Sequence, residues 1–206
     1  MTLLEEIQST IKVNQPFMIE DVVSKRFSYE TVKSMLSKYT KSGDIKRYCQ
    51  GVYYLSERNI FGESGPSLED VLARKFMYNN NKIFGYYSGL NLLNDVGLTY
   101  QVPMVPDITS SKETTRKKYH RIKGRKAITR SSRVEINKYN YLYLQFLDIF
   151  RYASEEQINK NRNNIIEYFK NNNMKVEELK KIEKKVCGKT TRKFRKAIGY
   201  DELAWK

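Results

Sequence analysis

Apolar positions recur at helical spacing from the first turn of the chain. Leu3, Leu4, Ile7 and Ile11 share one face, which predicts a helix over residues 2–12. Phe17 precedes a short second helix expected over Ile19–Ser24, with Val22 and Val23. Ser28 is the expected N-cap of a third helix, with Glu30 in its first turn. Val32, Met35, Leu36 and Tyr39 then form a stripe at i, i+3, i+4 and i+7, and Gly43 ends it as a C′ glycine. Lys33, Ser34, Ser37, Lys38 and Lys41 fall away from that stripe. A β-hairpin is expected next, Ile45–Tyr48 against Val52–Leu55, closed by Cys49-Gln50-Gly51. Its register pairs Ile45 with Leu55 and Arg47 with Tyr53. That puts Ile45, Tyr53 and Leu55 inside and Lys46, Tyr48, Val52 and Tyr54 outside.

The pattern then changes. Gly62-Glu63-Ser64-Gly65-Pro66-Ser67 has linker chemistry. Ser67 caps an expected helix with Leu68, Val71, Leu72 and Phe76, and Lys82–Tyr87 reads as a strand. Ser88 opens a short helix with Leu90, Leu92, Leu93 and Val96, closed by Gly97. Leu98–Pro103 is an extended exit and Met104–Thr109 a strand. Tyr119–Ile122 and Lys126–Arg130 flank Gly124 as a hairpin, and Val134 and Ile136 continue as β-like sequence. Asn79-Asn80-Asn81 and Asn171-Asn172-Asn173 read as helix ends. Further helices follow from Asn140–Tyr152, from Ile158, Ile165, Ile166 and Phe169 taken as one, and from Val176, Leu179, Ile182 and Val186. A last one holds Phe194, Ala197 and Ile198 before Gly199, and Trp205 is expected to pack against the domain.

Composition narrows the class. Apolar residues make up 40 % and aromatics 13 % of 206 residues, too many for a disordered chain. No apolar run approaches the roughly 18 residues of a membrane span. The start, Met1–Glu6, carries acids where a signal peptide needs bases. Cys49 and Cys187 are too few for a disulfide framework, and with His120 alone they make a structural zinc site improbable. A cytoplasmic, membrane-free protein without metal or cofactor is expected.

The net charge of +15 points to nucleic acid as the first partner to test. Residues 1–65 hold nine Lys and Arg against eight Asp and Glu, so the excess lies further on. Its densest block runs from Lys112 to Arg133, and a second spans Lys189–Lys196.

Three helices and a hairpin in about 55 residues predict a winged helix-turn-helix. The expected fold is α+β: a winged helix-turn-helix DNA-binding domain over 1–60, then a basic mixed α/β segment over 61–206 that ends in helices. Ser28, Tyr29, Lys33 and Ser34 are the expected base contacts; Ser37, Lys38 and Lys41 are expected on phosphates. Lys46 and Gln50, on the hairpin, complete the expected DNA surface. Lys112, Arg116, Lys117, Lys118, Arg121 and Lys123 are candidates for phosphate or partner contacts. So are Lys189, Arg192, Lys193 and Lys196, on a helix face that also carries Arg195.

Gly85–Pro103, GYYSGLNLLNDVGLTYQVP, resembles the signature of the AbiEi family of abortive-infection antitoxins. The family's small residue and "ALnllGL" helix correspond to Ser88-Gly89-Leu90-Asn91-Leu92-Leu93, and its "T-x-Q-V-P" exit to Thr99-Tyr100-Gln101-Val102-Pro103. Thr109, the basic block and Leu144-Gln145-Phe146-Leu147-Asp148 follow in the family's order, and Gly51-Val52-Tyr53-Tyr54 matches its "GvYy" wing. The likeness spans about residues 15–152. It implies the antitoxin half of a two-gene phage-defence module that represses its own operon at inverted repeats in promoter DNA. It also implies a nucleotidyltransferase-like toxin as functional partner, with direct contact left open. The alternative is a protein-interaction module whose basic part binds an acidic partner or non-operator nucleic acid.

No catalytic constellation is expected. His120 sits among Lys117, Lys118, Tyr119 and Arg121, a poor site for a base and a good exposed strand or loop. Asp107 with Glu135 and Asn137 is a weak echo of nuclease spacing, because a lysine is missing at Asn137. Asp107 is expected to cap or end a strand.

Overall fold

The computed structural model describes residues 1–60, 62–80, 82–186 and 188–204. The expectations for Cys187 and Trp205 lie outside them. The fold is α+β. The chain divides into two compact units, Met1–Asn80 and Asn81–Lys206. The composition break near residue 60 falls inside the first.

The first unit begins with α1 (Leu3–Thr10), α2 (Ile19–Val22) and α3 (Tyr29–Ser42). Thr2 and Glu5 form a capping box on α1, and the Ser28 hydroxyl accepts from the Thr31 N–H at the start of α3. Gly43 ends α3 with φ of 92°, a left-handed conformation that glycine adopts without steric penalty. Val32 and Leu36 from α3 pack with Leu3, Ile7, Phe17, Ile45, Tyr53 and Leu55 into one core.

β1 (Lys46–Cys49) and β2 (Val52–Tyr54) form the expected hairpin. Arg47 faces Tyr53 as the pattern predicts, but Cys49 pairs with Val52. The expected three-residue loop is therefore a Gln50-Gly51 turn with a bulge at Tyr48.

The outer face of the hairpin is a correction. Val52 is fully buried and Tyr54 is 8 % exposed. The covering stretch includes residues 62–67, read as a linker; β3 (Arg58–Asn59) precedes it, β4 (Gly62–Glu63) lies in it, and the expected Ser67-capped helix, α4 (Leu68–Phe76), follows. Gly65 lies so close to the Tyr54 ring that a Cβ there would come within 3.2 Å of it. The Ser64 hydroxyl donates to Asn14 Oδ1 at 3.0 Å. α4 is joined to α2 by a buried ion pair between Arg74 and Asp21. Asp21 also accepts the Met18 N–H at 2.7 Å, and Arg74 donates to the Tyr78 carbonyl at 3.1 Å. β5 (Tyr78–Asn79) ends the unit, so Asn79 is in a strand rather than at a helix end.

The second unit contains β6 (Lys82–Ile83), β7 (Gly85–Tyr87), α5 (Gly89–Asp95), β8 (Asp107–Ser110), β9 (Lys118–Ile122) and β10 (Arg125–Ser131). Four of these strands form a sheet in the order β7-β8-β10-β9. β8 and β10 are parallel, and both outer pairs are antiparallel. The β9–β10 turn is Lys123-Gly124, with φ of 46° and 80°, the doubly left-handed turn that matches strand twist. Val134 and Ile136 do not extend the sheet; the backbone there turns toward Asn140, which caps α6 (Tyr141–Tyr152).

The helical remainder is α7 (Glu155–Lys160), α8 (Arg162–Asn171), α9 (Val176–Val186), α10 (Lys189–Ala197) and α11 (Asp201–Ala204). The helix expected to join Ile158 to Phe169 is two helices. A Ser154–Gln157 capping box starts α7, and Asn161, at φ −115° and ψ 32°, breaks the run. Phe146 and Phe150 of α6 meet Phe194 of α10 edge-on at 5.8 and 5.2 Å between centroids, and Phe146 meets Phe169 at 5.2 Å.

Candidate nucleic-acid interface

The exposed face of α3 carries the residues singled out by the sequence. Glu30, Lys33, Ser34, Ser37, Lys38 and Lys41 line one shallow surface depression. Tyr29 is also exposed, while the Ser28 hydroxyl is engaged in capping and with the Thr31 hydroxyl at 2.9 Å. Lys33 lies 3.7 Å from Glu30, both side chains being well exposed. Such a pair contributes little to stability, so Lys33 can exchange partners cheaply.

The hairpin is less available than expected. Lys46 is half-buried and pairs with Glu63 at 3.1 Å. Gln50 remains exposed at the tip, but its carbonyl accepts from Lys75 at 2.9 Å. Glu63 comes from the stretch read as a linker, and Lys75 from α4.

In the second unit the basic block forms the β9–β10 ribbon and its approach. Lys112, Arg116, Lys117, Lys118, Arg121 and Lys123 are exposed. The Lys112 ammonium sits 4.0 Å from the Phe84 ring centre, and Lys117 4.8 Å from that of Tyr119. Arg121 faces Lys126 directly across the ladder. Like charges in that position are destabilising. A polyanion along the ribbon would relieve that repulsion.

His120 corrects an expectation. Its side chain is 17 % exposed and pairs through Nε2 with the Thr129 hydroxyl at 2.7 Å. Thr129 donates to Glu113 at 2.7 Å. Burial opposes ionisation of Glu113, but the Thr129 hydroxyl, the Thr115 N–H and Lys118 outweigh it and hold the carboxyl below its usual range. Thr129 is fully buried, so the three groups form an internal hydrogen-bonded clasp.

The basic helix face of α10 is divided by pairing. Lys193 donates to the Ala153 carbonyl, and Lys196 lies 3.7 Å from Glu155. Arg195 binds the buried Glu183 through Nε at 2.7 Å and Nη2 at 3.0 Å. Lys189 and Arg192 are exposed. The sequence shows the helical face but not the acids that reach it from α7 and α9.

Ser88, Asn91, Asp107 and Arg130 converge inside the second unit. The Ser88 hydroxyl donates to Asp107 at 3.3 Å, and Asn91 Oδ1 accepts the Asp107 N–H at 2.9 Å. Arg130 grips Asp107 through Nε at 2.8 Å and Nη2 at 2.7 Å. Asp107 thus starts β8 as an ion-pair partner. Gly89 has φ of 59°, and a Cβ there would come within 2.9 Å of the Asp107 carboxylate. Gly89→Ala is therefore expected to destabilise this unit by about 2 kcal/mol. Equilibrium denaturation measures it, and an unchanged midpoint would contradict the packing.

On α6, Gln145 donates to the Tyr87 carbonyl at 2.9 Å, and Asp148 accepts from the Tyr86 hydroxyl at 3.1 Å. Burial pushes the Asp148 carboxyl up to about 6. Periodicity does not mark this network, because its members are polar residues on otherwise apolar faces; Gln145 and Asp148 stand out only in the Leu144–Asp148 motif. Among the described residues no group of three His, Cys, Asp or Glu side chains is placed to hold a metal ion, and no helix is long and apolar enough to cross a membrane. The chain matches no protein-family model and no curated protein.

Proposed function

We propose that the chain is a DNA-binding autorepressor and antitoxin, cytoplasmic and not an enzyme. On this reading residues 1–60 are a winged helix-turn-helix whose recognition helix is α3, and α4 buttresses the wing. The observation that carries the proposal is the α3 face: a single depression lined by Lys33, Ser34, Ser37, Lys38 and Lys41 on a rigid, doubly capped helix. Such a face fits the major groove, with hydroxyls toward base edges and ammonium groups toward phosphates. The strained like-charge ribbon of β9–β10 supports a further grip on the phosphate backbone. Counteraction of a nucleotidyltransferase-like toxin rests on the motif order from Gly85 to Asp148.

The test is the double variant Lys33→Ala, Lys38→Ala against promoter DNA from the chain's own operon. Both positions are exposed, so the fold is retained. Affinity is expected to fall about tenfold, and the slope of log K against log salt by about 2, one counterion per lost phosphate contact. Unaltered affinity would remove α3 from the interface. Rescue of growth during expression of the adjacent toxin gene reads the antitoxin part separately.

A further inference from the structure

The second unit holds a partly open pocket of about 60 Å³ beside Tyr86 and Asp148. One water needs roughly 10–15 Å³ of such space, so the pocket has room for one tetrahedral oxyanion. Its wall includes Thr109 from β8, Asp148 and Arg151 from α6, Arg133 after β10, and Thr190 from the first turn of α10. We propose that this cavity is a binding site for a single phosphate group.

Three independent features support the assignment. Thr109 is 2 % exposed, and its hydroxyl has no hydrogen-bond partner. A buried hydroxyl left in that state is destabilising, so a ligand oxygen that accepts from it removes a penalty. The nine-residue α10 follows Gly188, which has no side chain to cap the first turn, and Thr190 of that positively polarised turn lies on the wall. Arg133 and Arg151 supply guanidinium donors on the same wall.

Asp148 also faces the cavity and sets the selectivity. Arg151 lies 3.6 Å from it, and Tyr86 donates to its other oxygen. The Asp148 charge is thereby offset by Arg151, and that of Arg133 is left for an anion. A phosphate carrying one proton can donate to Asp148. Sulfate at neutral pH has no such proton and meets the carboxylate with repulsion. Phosphate is therefore preferred over sulfate.

The test uses the full chain in calorimetric titrations and thermal melts. Its arms are inorganic phosphate, sulfate at matched ionic strength, a nucleoside 5′-monophosphate, and a short oligonucleotide with and without a 5′-phosphate. Phosphate is expected to bind and raise the melting temperature beyond the sulfate control. Thr109→Val replaces the hydroxyl by a methyl of equal size, and Arg133→Gln removes an exposed charge. Each is expected to weaken phosphate binding about tenfold, while Thr109→Val melts no lower than the parent. Tighter binding of the monophosphate or the phosphorylated oligonucleotide assigns the site to a nucleotide end; tighter binding of inorganic phosphate assigns it to the free ion. Equal binding of sulfate and phosphate, or wild-type affinity in Thr109→Val, overturns the proposal. Operator binding is read in a separate assay, so failure of either reading leaves the other standing.

Discussion

Replacing Arg74 by alanine is expected to cost the first unit about 3–5 kcal/mol, the usual result of stranding one member of a buried ion pair. The Asp21 and Arg74 side chains are only 5 % and 9 % exposed. Burial already pulls the guanidinium below its ordinary pKa, so the pair carries a desolvation penalty that only mutual contact offsets. In the variant Asp21 still accepts the Met18 N–H but has lost its counter-charge. The double variant Asp21→Asn, Arg74→Met keeps an acceptor for that N–H and leaves no buried charge. It should therefore recover most of the loss. Urea denaturation of all three proteins decides the matter: a loss below about 1 kcal/mol in Arg74→Ala would mean that water reaches Asp21. On the proposed DNA-binding reading, operator affinity should fall in parallel, since α2 packs against α3.

Asp148→Asn should act in the opposite direction. The carboxyl is raised from its ordinary 3.8 to about 6, chiefly by burial, with Arg151 and Tyr86 opposing. A raised folded-state value means that the native state binds the proton more tightly than the unfolded chain. The associated stability is fully present below pH 4, declines between about pH 4 and 6, and is absent above. The difference corresponds to roughly 3 kcal/mol. Asparagine removes the buried charge and still accepts from Tyr86, while Arg151, with its side chain 35 % exposed, is left to solvent. At pH 8 the variant should be more stable by up to that amount, and at pH 4 nearly equal to the parent. Denaturation curves at the two pH values test this, and a constant difference between them would rule out titration of Asp148 as the source.

What the sequence made legible was local. The Ser28 cap, the Val32–Tyr39 stripe and Gly43 define α3 within sixteen residues, and the hairpin around Lys123-Gly124 needs only its own turn. The exposed cations of α3 follow from the same arithmetic. What was hidden depends on distant partners. Val52 and Tyr54 read as outward because alternation says nothing of a segment that returns about ten residues later to cover them. Arg74 flanks the apolar stripe of α4, yet nothing local names Asp21, fifty-three residues earlier, as its partner. The polar network around Asp107 and Asp148 joins α5, α6, β8 and β10, and no periodicity spans those pieces. Lysines and arginines on α10 look alike on a helical wheel until Glu155 and Glu183 select among them.

The division of charge between the units has a kinetic corollary. Residues 1–80 carry eleven Lys and Arg against ten Asp and Glu, whereas 81–206 carry the remaining 27 against 13. Beyond a Debye length of about 8 Å, a diffusing polyanion feels almost nothing from the first unit. Its rate of arrival, and the effect of salt on that rate, belong to the second. On the proposed reading its residence time depends on α3, whose local cations belong to a unit with almost no net charge. If the proposed DNA binding holds, speed of capture and duration of stay are set by separate stretches of one chain.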